Sequence, residues 1–463
     1  MTQRRRSRER SHLVILAVIA AYFLIWPAWR AFFPLEIGPT EGWNTYHQDA
    51  AFTAALYPPR DALIVNNYPP LSFYTVAAIA WPMGDPLYVG RALSILATLA
   101  IGAAVAATVR QLGGHRISAA IAGVWVVAIF ARSFNHYVGR NDPQLIAHFI
   151  MLVALAWFLN RDAKGKSAVA PILLMVVAGF FKHNIIAIPA TVLIWIAMRD
   201  GRRAIGPIAA GAGAAVLGLG VCIALYGEPF ITNMLTPRAY RLDRIVSFAG
   251  RLQWVAPALV LWAVWAWSER GKPLAGFTAL YVGIALIACL AQWAGESVLD
   301  NAQFDLVIAV AIGLGIAYDR VGATPLATRY DVENLRTVMI AVLVVRLVAT
   351  GRIEPALILF DGEYRALFSQ HAMIVRQEAA RVAAIPGSVT CSYPLVCRMA
   401  GKAFVVDNFK TEQLVAMGRL TQRDFEELLR QRGITTANID RSASAESLQR
   451  DIFHLGRTNS SLR

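Results

Sequence analysis

The run LVILAVIAAYFLIWPAWRAFF, residues 13–33, follows a basic stretch from Arg4, Arg5 and Arg6 to Arg10. A bilayer core asks for roughly 20 apolar residues per helix, and this run supplies them. It is too long for a cleaved signal peptide, and no small-residue cleavage site follows it. Basic residues beside a span stay in the cytoplasm. The chain therefore begins as a membrane anchor with its N-terminus inside.

The pattern then repeats. The chain has 463 residues, of which 57% are hydrophobic and only 16% charged. Soluble proteins carry about a quarter charged residues. The apolar runs give an all-α polytopic membrane protein of about eleven spans: 13–33, 88–112, 118–134, 143–159, 168–181, 185–198, 205–226, 252–267, 274–293, 304–317 and 338–350. Residues 70–83 are also apolar but short and interrupted by proline. They are read as a helix lying in the outer interface, because a span there would invert everything after it.

Charge supports this order. The loops 110–116, 161–166, 199–203, 268–272 and 319–336 fall in the cytoplasm, and each holds at least two Lys or Arg, as the positive-inside rule requires. The run 168–198 breaks at Lys182, His183 and Asn184, so that break is an outer hairpin tip. The outer loop 227–251 departs from the rule, with Arg238, Arg241, Arg244 and Arg251. Tolerance in a long loop is the bland explanation. An anionic ligand held at the outer surface is the functional one. The net charge of +14 is scattered between apolar runs, which argues against a nucleic-acid partner and for positive-inside loops and anionic lipid headgroups.

An odd number of spans puts the C-terminus outside. The chain then divides into a transmembrane domain, 1–353, and a soluble extracytoplasmic α/β domain, 354–463. Residues 388–391, 404–407 and 434–439 read as short strands. Residues 421–432 read as a helix with Thr421 as N-cap and Gly433 as its stop. Of four cysteines, Cys222 and Cys289 lie in apolar runs. Cys391 and Cys397 form either a disulfide in an oxidising compartment or two thiols in a small core.

Polar residues gather on the outer loops, about 34–87 and 132–143. With Thr40 as N-cap, Glu41, Thr45 and Asp49 share one face of a helix, and the two carboxylates stand about 12 Å apart along it. That is too far for both to act on one bond. Trp43, Tyr46 and Ala50 form another face, suited to the membrane interface. Asp142 precedes Pro143 and the fourth span, where it caps that helix or faces Glu41 across an outer cavity. Lys182 and His183 reach the same surface, as do Glu228, Glu296, Asp300 and Asn301 from later loops. Such convergence at one membrane face suits an active site. No Cys or His grouping suggests zinc.

In this order the motifs resemble the polyprenyl-phosphate-dependent glycosyltransferases of the C-type fold, such as protein mannosyltransferases and lipid A aminoarabinose transferases. They are the acidic first outer loop, Tyr68-Pro69-Pro70-Leu71, the interfacial helix, Gly90-Arg91, Asp142-Pro143, and a basic residue breaking the fifth and sixth spans. The resemblance covers residues 13–200 best and is topological after 205. Residues 400–407 are similar to the C-terminal domains of some bacterial members. One departure is plain: the family has an aspartate, often an Asp-Glu pair, where this chain has Thr40-Glu41.

The resemblance implies a sugar donor on a polyprenyl phosphate in the plasma (inner) membrane, and transfer of a hexosyl or pentosyl group on the periplasmic or external face to a lipid, glycan or protein acceptor. The phosphate leaves without a general acid but needs nearby positive charge, for which Arg238, Arg241, Arg244, Lys182 and His183 are candidates. The acceptor hydroxyl needs a base. Glu41 is expected there, Asp142 assists, and Asp49 is the fallback. No cofactor is expected, and a divalent metal, used by some relatives, is not indicated. The rival is a lipid-carrier flippase or small-molecule transporter. Transporters place ionisable residues at mid-membrane and show repeated halves, whereas these spans are nearly free of charge apart from Arg346. A polysaccharide polymerase would share the transferase chemistry.

Overall fold

The first anchor folds as one helix, α1 (Gln3–Arg30), whose proline, Pro27, falls in the last turn, where it breaks little. The structure is a computed structural model and describes residues 3–349 and 351–448. Helices α2 (Pro39–Asp49) and α3 (Leu71–Met83) follow in the first long loop. The bundle continues with α4 (Pro86–Gln111), α5 (Arg116–Ser133), α6 (Gln144–Asp162), α7 (Val169–Phe181), α8 (Ala187–Arg199) and α9 (Gly201–Tyr226). Two short helices, α10 (Glu228–Met234) and α11 (Asp243–Ala249), lead into α12 (Ala256–Ser268), α13 (Pro273–Trp293), α14 (Phe304–Asp319) and α15 (Val332–Val348).

Each of the eleven expected spans falls on a helix, although Thr350, the last residue of 338–350, lies outside the described residues. Length divides them. Among the described residues seven helices are long and apolar enough to cross a membrane, or eight if the pair 243–254 and 256–268, bent by 78°, is one span. The protein is thus a multi-pass helical membrane protein, with fewer full-length spans than the apolar runs suggested. Helices α7 and α8 have 13 residues each, about 20 Å at 1.5 Å per residue, against a core of about 30 Å. Apolar composition marks such a run in the sequence but does not give it the length of a span. Helix α3 also has 13 residues and leaves Trp81 and Met83 exposed at its end.

The core forms around α14, in which every residue from Phe304 to Tyr318 is buried. Helices α1, α4, α5 and α6 pack with it into one apolar cluster. Polar pairs sort to the two ends. One end holds Glu9 with Arg336, His115 with Asp319, and Asp162 with Arg199. These residues flank the basic loops. The opposite end holds α2, Asp142 with Lys182, and Arg244 with Glu296. Lys182 ends α7 in an extended conformation, so the break expected at residues 182–184 is present and turns at this second end.

The C-terminal segment folds onto that same end. Helices α16 (Glu354–Phe360) and α17 (Gly362–Ala383), unforeseen in the sequence, precede β1 (Ser388–Cys391). After α18 (Pro394–Met399), α19 (Asn408–Ala416) and α20 (Gln422–Gln431), strand β2 (Ile434–Ala437) pairs parallel with β1, Ser388 opposite Ile434. Thr421 caps α20 in a capping box with Asp424, and Gly433 follows with φ 62°. Residues 404–407 are not a strand: Val406 makes one isolated bridge to Leu63 of the first loop. Cys391 and Cys397 are joined in a disulfide. The core of this segment includes Trp26, Leu35 and Ile37 beside Tyr364 and Phe368, so it is built partly on the end of α1. Residues 449–463 of the expected C-terminal domain lie outside the described residues.

Candidate active site

Helix α2 starts two residues earlier than expected. Gly38, with φ 118°, stands at the N-cap, and Pro39 opens the helix, a position that suits proline. Thr40 is therefore in the first turn, and its hydroxyl accepts a hydrogen bond from Arg140. The helix is also buried on faces that looked suited to lipid. Tyr46 stacks on Phe404 and donates to the Lys402 carbonyl, and Trp43 Nε1 donates to Asp407 Oδ2 at 3.1 Å. The aromatic face meets the C-terminal segment rather than the bilayer.

Glu41 is 0% exposed. Arg91 Nε and Nη2 donate to its two oxygens at 2.8 and 2.7 Å, and the Asn141 and Ile37 amides donate at 3.0 and 2.9 Å. Arg91 is itself buried and donates further to the carbonyls of Ala31, Phe33 and Leu35. Burial pushes the Glu41 carboxyl upward, but Arg91 and the two amides outweigh it and hold its pKa below the ordinary value. Glu41 is thus a charged, fully engaged carboxylate that ties the first loop to α4. Gly90, beside Arg91, is required by packing: a Cβ there would lie 1.9 Å from Asn141 Oδ1.

Asp142 sits within reach of this latch. It accepts from the Gln144 amide at 2.9 Å, Arg140 lies at 3.3 Å, and Lys182 Nζ lies 3.6 Å away. Burial raises its pKa, yet the two cations bring it below the ordinary value. The capping contact expected of Asp142 is present, and its charge is met by Arg140 and Lys182. Lys182 Nζ also lies 3.8 Å from the centre of the Tyr68 ring, a cation–π contact. His183 is exposed, its ring edge-on to Tyr68. Asp49 lies elsewhere, paired at 2.6 Å with Arg398, which also binds Asp85 at 2.9 Å. It fastens α18 to α2 and the start of α4.

A cavity of about 320 Å³ opens between the first loop and the C-terminal segment. Its walls include Thr40, Trp43, Tyr68, Arg238, Phe404 and Phe409, with Asp407 and Glu412 as its acidic groups. Glu41, Asp142 and Asp49 are not on its walls. The three arginines of the 227–251 loop part company. Arg241 is exposed and paired with Asp243, and Arg244 is held by Glu296 and the Val298 carbonyl. Arg238 faces the cavity and stacks over the Phe409 ring, with no carboxylate at salt-bridge distance among the described residues.

Asp407 went unnoticed in the sequence, where it was read as the end of a strand. It is 3% exposed and caps α19, accepting from the Phe409 amide at 2.8 Å. Burial lifts its pKa to about 7, against the pull of the Phe409 amide and Trp43. The available signal was the pattern Asp407-Asn408-Phe409-Lys410 before a helical stretch, an N-cap signature. Among the described residues no three His, Cys, Asp or Glu side chains group as a metal site.

No family model matches the chain, and no curated protein matches it in sequence. Solved structures do match in shape. ArnT from Cupriavidus metallidurans, solved in the apo state and bound to undecaprenyl phosphate, aligns with 87% of this chain and 75% of its own, at 15% identity and a TM-score of 0.50. The oligosaccharyltransferase of Archaeoglobus fulgidus, tethered to an acceptor peptide, aligns at 11% identity and a TM-score of 0.53, covering 87% of this chain and 64% of that one. The archaeal enzyme has also been solved with an inhibitory peptide and a dolichol-phosphate. At such identities the likeness is one of fold, and the fold that this chain shares with them is the C-type fold of polyprenyl-phosphate-dependent glycosyltransferases.

Proposed function

We propose that the protein is a membrane glycosyltransferase that moves a sugar from a polyprenyl-phosphate donor to an acceptor on the outer face of the plasma membrane. The cavity carries this reading. Its walls bring four aromatic rings, Trp43, Tyr68, Phe404 and Phe409, together with Arg238 and two carboxylates, at the end of the bundle away from the basic loops. Aromatic faces and convergent polar groups suit a sugar ring, and a guanidinium suits a phosphate leaving group. Arg238 is the proposed phosphate contact, supported by Lys182 behind Tyr68. Undecaprenyl phosphate and dolichol-phosphate bound to proteins of the same fold point to the same donor class.

Reconstituted protein should release polyprenyl phosphate from polyprenyl-phosphate hexose or pentose when supplied with a total membrane extract as acceptor. Absence of release from every donor tried would sink the reading. Charge reversal at Arg238 should weaken donor binding while the protein stays inserted. Sidedness is tested by Lys164→Cys, which sits in the 161–166 loop. Labelling of that cysteine from outside intact cells would invert the proposed orientation.

A further inference from the structure

We propose that a second cavity, which adjoins the first at Ser297 and Glu412, is the acceptor subsite and that it takes an uncharged saccharide unit. The proposal rests on the glycosyltransferase reading above. If the first cavity holds the donor, the group that receives the sugar must come to it from another side.

The second cavity has a volume of about 400 Å³. One wall comes from two helices of the C-terminal segment. Glu412, Val415 and Ala416 fall about one turn apart on α19, and Gln422 and Phe425 share a face of α20, as residues three or four apart do. The other wall is Arg241 with Glu296 and Ser297. These belong to two outer loops held edge to edge. The Arg241 amide donates to the Ala294 carbonyl at 2.7 Å and the Glu296 amide to the Ala239 carbonyl at 2.8 Å. Gln413 fastens both loops to α19: its Oε1 accepts from the Ala239 amide at 2.9 Å, and its Nε2 donates to the Ser297 hydroxyl at 3.3 Å.

Ser297 and Glu412 line both cavities, so the two spaces meet there. Among the described residues Ser297 is the one non-glycine with a positive φ, 61°. Such a backbone is strained and persists where the surroundings impose it, which happens most at ligand sites. Arg238, the proposed phosphate contact, packs against the same turn: a Cβ on Gly295 would lie 3.1 Å from its Cδ. One short loop therefore sets the phosphate contact on one side and the shared wall on the other.

Charge selects the class of acceptor. Arg241 is paired with Asp243, and Glu296 with Arg244. Glu412 is exposed and accepts from Ser297 at 3.4 Å, with no cation at salt-bridge distance among the described residues. The charge left without a counter-ion is thus negative. It repels a phosphate or carboxylate and accepts hydrogen bonds from hydroxyls, while the Phe425 ring suits the apolar face of a sugar.

Ala416 is exposed, so Ala416→Trp fills the cavity without entering a packed core. This variant should bind undecaprenyl phosphate as the parent does, while transfer to a total membrane extract falls about tenfold or more. Glu412→Ala should raise the half-saturating amount of extract about tenfold, with a far smaller change in maximal rate. Fragmentation of the labelled product by mass spectrometry should place the new sugar on an uncharged saccharide. Parental transfer by Ala416→Trp overturns the subsite. Loss of undecaprenyl phosphate binding at an unchanged thermal midpoint does so too, because it gives the cavity to the donor. If the midpoint of Ala416→Trp falls, Glu412→Ala decides, and an unchanged half-saturating amount overturns the subsite. A new sugar on a phosphorylated unit, a peptide or a lipid hydroxyl overturns the class. An unaltered protein that transfers from no polyprenyl-phosphate donor overturns the function itself instead.

Discussion

Two buried carboxylates at the same end of the molecule stand in opposite electrical states. Glu41 is 0% exposed and Asp407 3%, so burial alone raises both. Glu41 meets a guanidinium that grips both its oxygens and ends up below its ordinary pKa. Asp407 meets an indole and the backbone amides of Phe409, Val65 and Lys410, which are dipoles without net charge, and ends up near 7. The partner, not the depth, decides which group stays charged.

Breaking the tie should have the largest effect. Arg91→Met leaves Glu41 buried without its cation, and loss of one partner of a buried pair costs about 3–5 kcal/mol. The thermal midpoint in detergent should fall sharply, and adding Glu41→Gln should recover part of the loss. A single Arg91→Met variant as stable as the parent would refute the tie.

The two groups should also respond to pH with opposite sign. Glu41 has a folded pKa below its ordinary 4.5, so its contribution is present above that value and is lost as pH falls through the folded pKa. Asp407 is raised from 3.8 to about 7. Between those values the folded state keeps a proton that the unfolded chain has lost, so stability falls as pH rises through the window and levels off above it. Midpoints measured from pH 4 to pH 8 should show this slope in the parent and a flatter one in Asp407→Asn. An equal slope in both would place the titration elsewhere.

The supports of the Asp407 side should contribute less. The Cys391–Cys397 disulfide closes a loop with a sequence separation of 6, for which chain entropy gives about 2 kcal/mol. Double replacement by serine should lower stability by that order and slow turnover, because α18, which carries Cys397, packs against α2. Smallest should be Arg398→Gln. Its pairs with Asp49 and Asp85 are partly exposed, and such pairs contribute about 1 kcal/mol at most. A loss comparable to that from Arg91→Met would mean that the rim, rather than the latch, holds the first loop.

Much of the bundle was legible because hydrophobic runs and basic loops report directly on what a bilayer tolerates. Each expected span falls on a helix, and the break at Lys182 follows from the basic flanks of the run around it. Span length was less legible, since α7 and α8 are apolar enough but too short. The site was legible only in its materials. Trp43 and Tyr46 have the composition of a membrane-facing stripe, and nothing local says that Phe404 and Asp407 will cover them. Likewise the cation that neutralises Glu41 lies 50 positions away. Arg238 differs from Arg241 and Arg244 in having no acid at salt-bridge distance among the described residues, a fact of three dimensions.

The cavity joins Thr40 and Trp43 to Phe404, Asp407 and Phe409, walls separated by most of the chain. A polypeptide made from its N-terminus folds its early parts first. The spans and the Glu41 latch are complete long before residue 404 leaves the ribosome, so a nascent protein already inserted in its membrane still has half a pocket. The cavity is complete only once the C-terminal segment has packed onto α2 and the first loop.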